Sequence, residues 1–111
     1  MNIIIVGCGK VGYTLVEALS NENHNIVVID TRQEKLDLIT DTLDVMGILG
    51  NGVSHTVLMQ AGIETADLLI AVTGSDEENL LCCVIAKKRG HCQTIARIRN
   101  PIYNVEMDFL K

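Results

Sequence analysis

Apolar and polar segments alternate along this chain, and the alternation predicts strands and helices that take turns. Short runs rich in Ile, Val and Leu predict buried strands, whereas apolar residues at about every third or fourth position predict helices that bury one face. The predicted strands cover residues 2–6, 25–30, 45–49, 67–73 and 94–98. The predicted helices cover residues 13–21, 31–43, 54–61 and 74–90, and a last helix starts near Pro101.

Strands that alternate with helices predict right-handed crossovers, and therefore a parallel sheet that helices cover on both faces. The predicted fold class is α/β: a Rossmann-like doubly wound parallel sheet with strand order 3-2-1-4-5. Residues 1–111 contain no repeat or linker, so we expect a single domain. Ligands of such sheets bind beyond the carboxyl ends of the strands, here between the first and fourth strands.

Three glycines with the spacing G-x-G-x-x-G join the first predicted strand to the first helix. Gly7 permits a tight turn, Gly9 lets the backbone approach a pyrophosphate, and Gly12 lets the helix pack on the strand. The N–H groups at the start of the helix then face the anion. Glycines can have this spacing merely as turn residues, but their place between a strand and a helix favours a dinucleotide site.

Asp30 ends the second predicted strand, about 20 residues after the glycines, where Rossmann folds hold the adenosine ribose. A carboxylate there accepts hydrogen bonds from both ribose hydroxyls and repels a 2′-phosphate, which favours NAD or an adenine nucleotide over NADP. The alternative is that Asp30 merely introduces the next helix. Arg32 could host a 2′-phosphate, but beside Asp30 we interpret it as an adenine contact or a solvent-exposed residue.

Two further loops end strands at the same edge of the predicted sheet. The Gly-Asn-Gly loop (residues 50–52) follows the third strand, where the adenine is expected. After the fourth strand, Thr73 offers a hydroxyl and Gly74 permits close approach of the backbone. The acidic residues at 76–78 are interpreted as stabilising the dipole of the following helix. Lys10 is left open between a phosphate contact, a contact with a partner subunit and an ordinary surface lysine.

Composition argues against several classes of protein. The net charge of -5 and the aromatic content of 3% disfavour a nucleic-acid partner. The four cysteines form no CxxC pair and have no histidine at zinc-ligand spacing, so we expect reduced, mostly buried thiols and no metal site. The apolar runs are too short to cross a membrane. The first residues lack the basic region and the cleavage site of a signal peptide. We therefore expect a cytoplasmic protein.

Longer stretches resemble a known family. "IIIVGCGKVG", "VVIDTRQEKL", "AGIETADLLIAVTGSDEEN" and "ARIRNP" are similar to the RCK or KTN domain, the nucleotide-binding domain of the Trk and Ktr potassium-transport regulators. The third stretch is far more specific than the glycines. The resemblance implies a Rossmann-like domain that binds NAD(H) or ATP/ADP, forms a homo-dimer or ring, and gates a membrane-embedded potassium channel or transporter. Such a domain works at the inner face of the membrane without inserting into it.

The resemblance also implies the contacts of the ligand. The glycine loop would line the pyrophosphate, Asp30 the ribose, and Arg97 would be a basic contact nearby. Many relatives differ where Lys10 and Asn51 stand, which leaves the preferred nucleotide open. The family's domain usually continues into a sixth strand, so this chain is expected to be a fragment. The predicted binding residues are Gly7, Cys8, Gly9, Lys10, Val11, Gly12, Asp30, Thr31, Arg32, Asn51, Gly52, Thr73, Gly74 and Arg97.

Two features are expected to serve the ligand or a subunit interface. Arg97 and Arg99 alternate on the fifth predicted strand and so share a face, which is costly unless they reach the strand end or a partner. A ligand or interface role is favoured over a merely snorkelling one. The last predicted helix carries apolar positions. We expect them to form a subunit contact, and the alternative is that they pack on the chain's own sheet. These positions are Ile102, Tyr103, Val105, Met107, Phe109 and Leu110.

An enzyme is the competing class. Hydride transfer needs a substrate pocket and an acid or base near the nicotinamide. His24 and His91 fall in polar turns and are expected to be solvated, and His55 falls at the start of the third helix, so no catalytic pair is predicted. We therefore predict a non-enzyme in which the nucleotide shifts the population of subunit arrangements. The alternatives are a fragment of an NAD-dependent oxidoreductase and, with less support, an S-adenosylmethionine binder.

Overall fold

The computed structural model describes residues 1–102, through which strands and helices alternate. The strands are β1 (Asn2–Val6), β2 (Asn25–Asp30), β3 (Met46–Leu49), β4 (Leu68–Ala71) and β5 (Gln93–Ala96). The helices are α1 (Lys10–Ser20), α2 (Gln33–Thr42), α3 (His55–Gln60) and α4 (Asp76–Arg89). The predicted last helix, with its apolar positions beyond Ile102, lies outside the described residues.

The five strands form one parallel sheet in the order β3-β2-β1-β4-β5. This confirms the predicted α/β fold and strand order. β1 lies in the centre, where Ile5 is opposite Val28 of β2 and Ile70 of β4. Because all strands run the same way, their carboxyl ends meet at one edge of the sheet. The connections leave β1 and β4 in opposite directions, which makes the gap between them the switch point.

The core has two layers, one on each face of the sheet. Ile4 and Val6 of β1 belong to the layer under α3 and α4. Ile3 and Ile5 belong to the layer under α1 and α2, with Val16 of α1 fully buried there. Both faces of β1 are covered, which explains its unbroken apolar sequence. Each such buried side chain contributes roughly 1.5–3 kcal/mol relative to leaving it exposed.

α1 begins at Lys10, earlier than the predicted start at residue 13. Its first turn therefore contains part of the glycine motif. Gly12 lies so close to the preceding loop that a Cβ atom on it would stand 2.0 Å from the carbonyl oxygen of Gly7. The helix can start this early because these two backbone segments touch without any intervening side chain.

The fifth strand is shorter than predicted and ends at Ala96. The N–H of Arg97 still donates to the carbonyl oxygen of Ala71 at 2.9 Å, but Arg99 lies beyond the ladder. The prediction that Arg97 and Arg99 share one face of a strand is therefore wrong. After Arg97, the N–H groups of Arg99 and Asn100 donate to the carboxylate of Asp76 at the start of α4.

The predicted burial of the cysteines is confirmed, since all four are buried, and none of them forms a disulfide. The prediction for His24 is wrong. Its side chain is only 16% exposed. One ring nitrogen lies 3.2 Å from the amino group of Met1 and the other lies 2.9 Å from a carboxylate oxygen of Glu22. His24 thus joins the chain's amino terminus to the turn before β2.

Candidate functional site

A cavity of about 620 Å³ opens at the carboxyl ends of β1 and β4. Both its size and its place at the switch point are typical of a small-molecule site in this kind of sheet. Its walls come from the segments that follow each of the five strands. The predicted binding residues that line it are Gly7, Gly9, Lys10, Val11, Asp30, Thr31, Arg32, Asn51, Gly52, Thr73, Gly74 and Arg97.

Two predicted binding residues, Cys8 and Gly12, lie behind this lining. The thiol of Cys8 is buried in the layer under α1 and α2. Burial, together with the nearby charge of Asp30, raises the pKa of the Cys8 thiol to about 12. Gly12 faces the backbone of Gly7. Both residues therefore shape the glycine loop from behind it.

The glycine loop is pressed against the neighbouring loop after β4. Gly7 has a φ of +101°, a left-handed conformation that L side chains rarely adopt. A Cβ atom on it would also lie 3.0 Å from backbone atoms of Val72 and Thr73. Gly9 is different, because the nearest atom to its hypothetical Cβ is Nη2 of Arg32 at 3.9 Å. Gly9 is therefore the glycine of this loop that leaves room inside the cavity.

The N-terminus of α1 faces the cavity without a side-chain cap. Its N-cap is Gly9, and its first turn carries Lys10 and no acidic residue. The first N–H groups of a helix have no partner within the helix, and the helix dipole adds positive potential there. An anion such as a phosphate group would satisfy these donors.

The N-terminus of α4 also borders the cavity, but it differs from that of α1 in its cap and in its charge. The hydroxyl of Ser75 accepts a hydrogen bond from the N–H of Glu78 at 3.2 Å, and the first turn contains three acidic residues. Its donors are capped and its charge is negative. An anion in the cavity is therefore expected at α1.

Asp30 and Glu78 are the acidic residues that line the cavity, and the Asp30 side chain is only 4% exposed. Its Oδ2 accepts from the N–H of Cys8 at 2.8 Å, and its Oδ1 accepts from the N–H of Arg32 at 2.8 Å. Nε of Arg32 lies 3.2 Å from Oδ1. Burial acts to raise the pKa of Asp30, but the hydrogen bonds from Arg32 and Cys8 outweigh it and hold the pKa below its ordinary value.

Asn79 supports the site, although the sequence did not single it out. It is fully buried on α4. Its Oδ1 accepts from the N–H of Thr73 at 2.9 Å and from the hydroxyl of Thr73 at 2.7 Å. Its Nδ2 donates to the carbonyl oxygens of Thr73 at 3.2 Å and of Arg97 at 2.9 Å. The hydroxyl of Thr73, predicted as a ligand contact, is thus already bonded within the protein.

Asp76 has a second role that the sequence did not indicate. Its carboxylate accepts from the N–H of Arg99 at 3.0 Å and from the N–H of Asn100 at 2.8 Å. These backbone bonds lower the pKa of Asp76 below its ordinary value. The Arg99 guanidinium donates to the carbonyl oxygen of Gly74. Asp76 and Asn79 together tie the segment after β5 to the loop after β4.

Within residues 1–102, no group of three His, Cys, Asp or Glu side chains could hold a metal ion. In the same part of the chain, none of the helices is long and apolar enough to span a membrane. The candidate site combines the uncapped N-terminus of α1, the buried carboxylate of Asp30 and the cavity that both line.

The family model of the TrkA-N domain matches residues 3–110. This chain belongs to the TrkA-N family. The family agrees with the resemblance that the sequence motifs indicated.

The TrkA-N chain is 39% identical over 104 residues to the Trk system potassium uptake protein TrkA of Azorhizobium caulinodans, covering 93% of this chain and 23% of the relative. It is 43% identical over 103 residues to a TrkA homologue of Archaeoglobus fulgidus, again covering 93% and 23%. The chain thus spans about a quarter of the length of these curated relatives.

Solved structures also match this TrkA-N fold. A GsuK channel bound to NAD matches with a TM-score of 0.84 and 21% identity, covering 97% of this chain and 20% of that one. The Kef CTD of Shewanella denitrificans in AMP-bound form matches with 0.76 and 20%, covering 90% and 60%. An oxidoreductase of Lactococcus lactis matches with 0.61 and 22%, covering 85% and 46%. At these identities the likeness shows the fold alone, which a channel protein and an oxidoreductase share.

Proposed function

We propose that this TrkA-N domain binds NAD(H) or ATP/ADP in the cavity between β1 and β4 and so regulates a membrane potassium channel or transporter. The observation that carries the proposal is the uncapped N-terminus of α1 beside the buried, anionic Asp30. The first suits a phosphate group and the second suits a ribose, which are neighbours in every adenine nucleotide.

The remaining walls suit the rest of such a ligand. Asn51 and Gly52 line the cavity beyond Asp30, on the side of the sheet edge formed by β3. We place the adenine there and the phosphates at Gly9 and Lys10. The NAD-bound channel and the AMP-bound Kef domain, whose fold this chain shares, support an adenine nucleotide and leave the choice between NAD(H) and ATP/ADP to experiment.

We infer that the nucleotide is a regulatory ligand and is not consumed. Among the residues that line the cavity, within the described part of the chain, there is no histidine. Cys82 also lines it, but burial raises the pKa of that thiol to about 12, so the thiol stays protonated and is a poor nucleophile. A bound nucleotide would act by its different affinity for two arrangements of the assembly.

The names of the relatives, which are potassium uptake proteins, support a partner in potassium transport. We propose a membrane-embedded potassium transporter or channel subunit as the partner and a homo-dimer or ring as the assembly. The domain would then lie at the cytoplasmic face of the membrane and be held there by its partner. We further propose that residues 1–111 form one domain of a longer regulator.

Calorimetric titration of the purified chain with NAD, NADH, ATP and ADP tests nucleotide binding. We expect at least one of them to bind and Asp30→Ala to weaken that binding at least about tenfold, equivalent to about 1.4 kcal/mol. Asp41→Ala removes an exposed acid on α2 and should leave affinity unchanged. Thermal unfolding of each variant checks that it is folded. Binding of none of the four would contradict the proposal, and turnover of NADH with a small substrate would favour the oxidoreductase.

Regulation is tested in a longer protein. The matching segment of a Trk relative is replaced by this chain, and potassium uptake is measured in cells that depend on that relative. We expect uptake with the natural Asp30 to exceed uptake with Asp30→Ala at equal expression, and Asp41→Ala to behave like the natural sequence. Equal uptake by all three would contradict a regulatory role of the nucleotide.

A further inference from the structure

The carboxylate that we propose as the ribose contact is already fully occupied. Besides its two backbone donors, Asp30 receives two contacts from the Arg32 side chain. Nε lies 3.2 Å from Oδ1, and Nη2 lies 3.4 Å from Oδ2. A carboxylate offers about four acceptor positions. Two ribose hydroxyls therefore cannot donate to Asp30 unless existing donors leave.

Only the Arg32 side chain is able to leave. The N–H groups of Cys8 and Arg32 belong to the backbone of the glycine loop and of the segment before α2. The Arg32 side chain is 50% exposed, in contrast to the 4% of Asp30. A half-exposed guanidinium on a long flexible chain can exchange its partner for water at a small cost.

The guanidinium also lies in the space that the ligand needs. Its Nη2 atom contacts Asp30 and is the atom nearest to the hypothetical Cβ of Gly9, at 3.9 Å. Arg32 thus extends from the proposed ribose position toward the proposed pyrophosphate position. Both Arg32 and Gly9 line the cavity.

We propose that Arg32 is a latch that closes the ribose subsite and must leave Asp30 before a ribonucleotide binds. The proposal rests on the proposed function, because it assumes a ribose at Asp30. Binding then exchanges two guanidinium contacts for two ribose hydroxyls. The latch lowers the affinity for every nucleotide that uses Asp30, and it keeps the buried carboxylate paired while the site is empty.

An Arg32 that serves mainly as a phosphate contact would have the opposite effect when removed. A phosphate contact predicts that Arg32→Ala weakens nucleotide binding, whereas a latch predicts that it strengthens binding. The latch also requires Asp30, so the two residues must be coupled. A double-mutant cycle measures this coupling directly.

The test is calorimetric titration of the full chain with NAD and with ADP, for the natural sequence, Arg32→Ala, Asp30→Asn and the double variant. We expect Arg32→Ala to tighten binding about threefold, the size set by a half-exposed ion pair. In the Asp30→Asn background the same change should give no gain. Lys35→Ala removes an equal charge from α2 outside the cavity lining and should not tighten binding.

The outcomes separate the two proposals. If the natural chain binds and Arg32→Ala is unchanged or weaker, the latch is overturned and the nucleotide site stands. A gain that persists with Asn at position 30 also overturns the latch. Binding by Arg32→Ala alone would support both the latch and the site. If no variant binds either nucleotide, the proposed function fails and the latch fails with it.

Discussion

Helices α1 and α4 start from neighbouring strands at the same cavity, yet their first turns are built in opposite ways. α1 begins after glycines, with Gly9 as an N-cap that has no side chain. α4 begins after Ser75, whose hydroxyl caps the helix, and continues with acidic residues. The start of α1 has no side-chain cap for its N–H groups, whereas the start of α4 has the Ser75 hydroxyl. Helices that start beside each other at one edge of a sheet can thus differ in their suitability for an anion through their caps and the charges of their first turns.

The loops before these helices are stabilised by different means as well. The loop before α1 depends on backbone packing, in which Gly12 contacts Gly7 directly. The loop before α4 depends on buried polar side chains, chiefly Asn79 and Asp76. Substitutions should therefore destabilise the first loop through backbone overlap and the second through the loss of buried hydrogen bonds.

The largest effect is expected from Gly12→Ala. The new methyl group would overlap the carbonyl oxygen of Gly7, whereas at Gly74, before α4, a Cβ would meet nothing within 4 Å. Alanine gains about 1 kcal/mol of helix propensity, but the backbone must shift and we expect a net loss of about 3 kcal/mol. Gly74→Ala should stay within about 0.5 kcal/mol. Urea denaturation measures both, and equal losses would show that the two loops do not differ.

A smaller loss is expected from Asn79→Ala. The change leaves the N–H of Thr73 and the carbonyl oxygen of Arg97 without their buried partner, which costs about 2 kcal/mol in the free energy of unfolding. The matched control is Asn23→Ala, at an exposed turn position. If both variants unfold at the same urea concentration, the side-chain network does not stabilise the loop before α4.

The smallest effect is expected from Asp76→Asn, and it should depend on pH. The pKa of Asp76 is held below its ordinary value of 3.8 by the N–H groups of Arg99 and Asn100. A lowered pKa in the folded protein means that the ionised form adds stability above pH 3.8, and that this stability disappears as the pH falls through the lowered pKa. The natural protein should therefore exceed Asp76→Asn in melting temperature at pH 7, and this difference should disappear in acid.

The control is Glu77→Gln, at the exposed residue next to Asp76, which should show no such difference. A difference for Asp76→Asn that is the same at pH 7 and in acid would contradict the ionic role.

The sequence predicted the fold because a doubly wound sheet needs only the alternation of its elements. It also predicted most residues of the cavity, since these follow the strands directly. It did not predict the burial of Asn79, which sits among polar residues at the start of α4. That burial depends on the carbonyl oxygen of Arg97, which is distant along the chain.

The roles of the arginines could not be predicted from the sequence either. Arg32 stands two positions after Asp30, a spacing equally compatible with an ion pair, a ligand contact or solvent exposure. The structure shows the ion pair. Arg97 and Arg99 alternate as strand residues would, but the strand ends at Ala96 and the N–H of Arg99 donates to Asp76. For Arg99 the deciding contact joins segments that are distant along the chain. For Arg32 the contact is local, but its spacing alone does not distinguish an ion pair from the two other roles.

The contact between Gly12 and Gly7 limits how this site can change over generations. The obstacle to a larger residue at Gly12 is a main-chain oxygen, so no second substitution elsewhere can remove it. At Gly50 the obstacle is the side chain of Val57, 2.7 Å from a hypothetical Cβ, and a smaller residue there would make room. The loop beyond β3 can therefore diversify through paired substitutions. A larger residue at Gly12, in the turn into α1, would require a different backbone conformation of that turn.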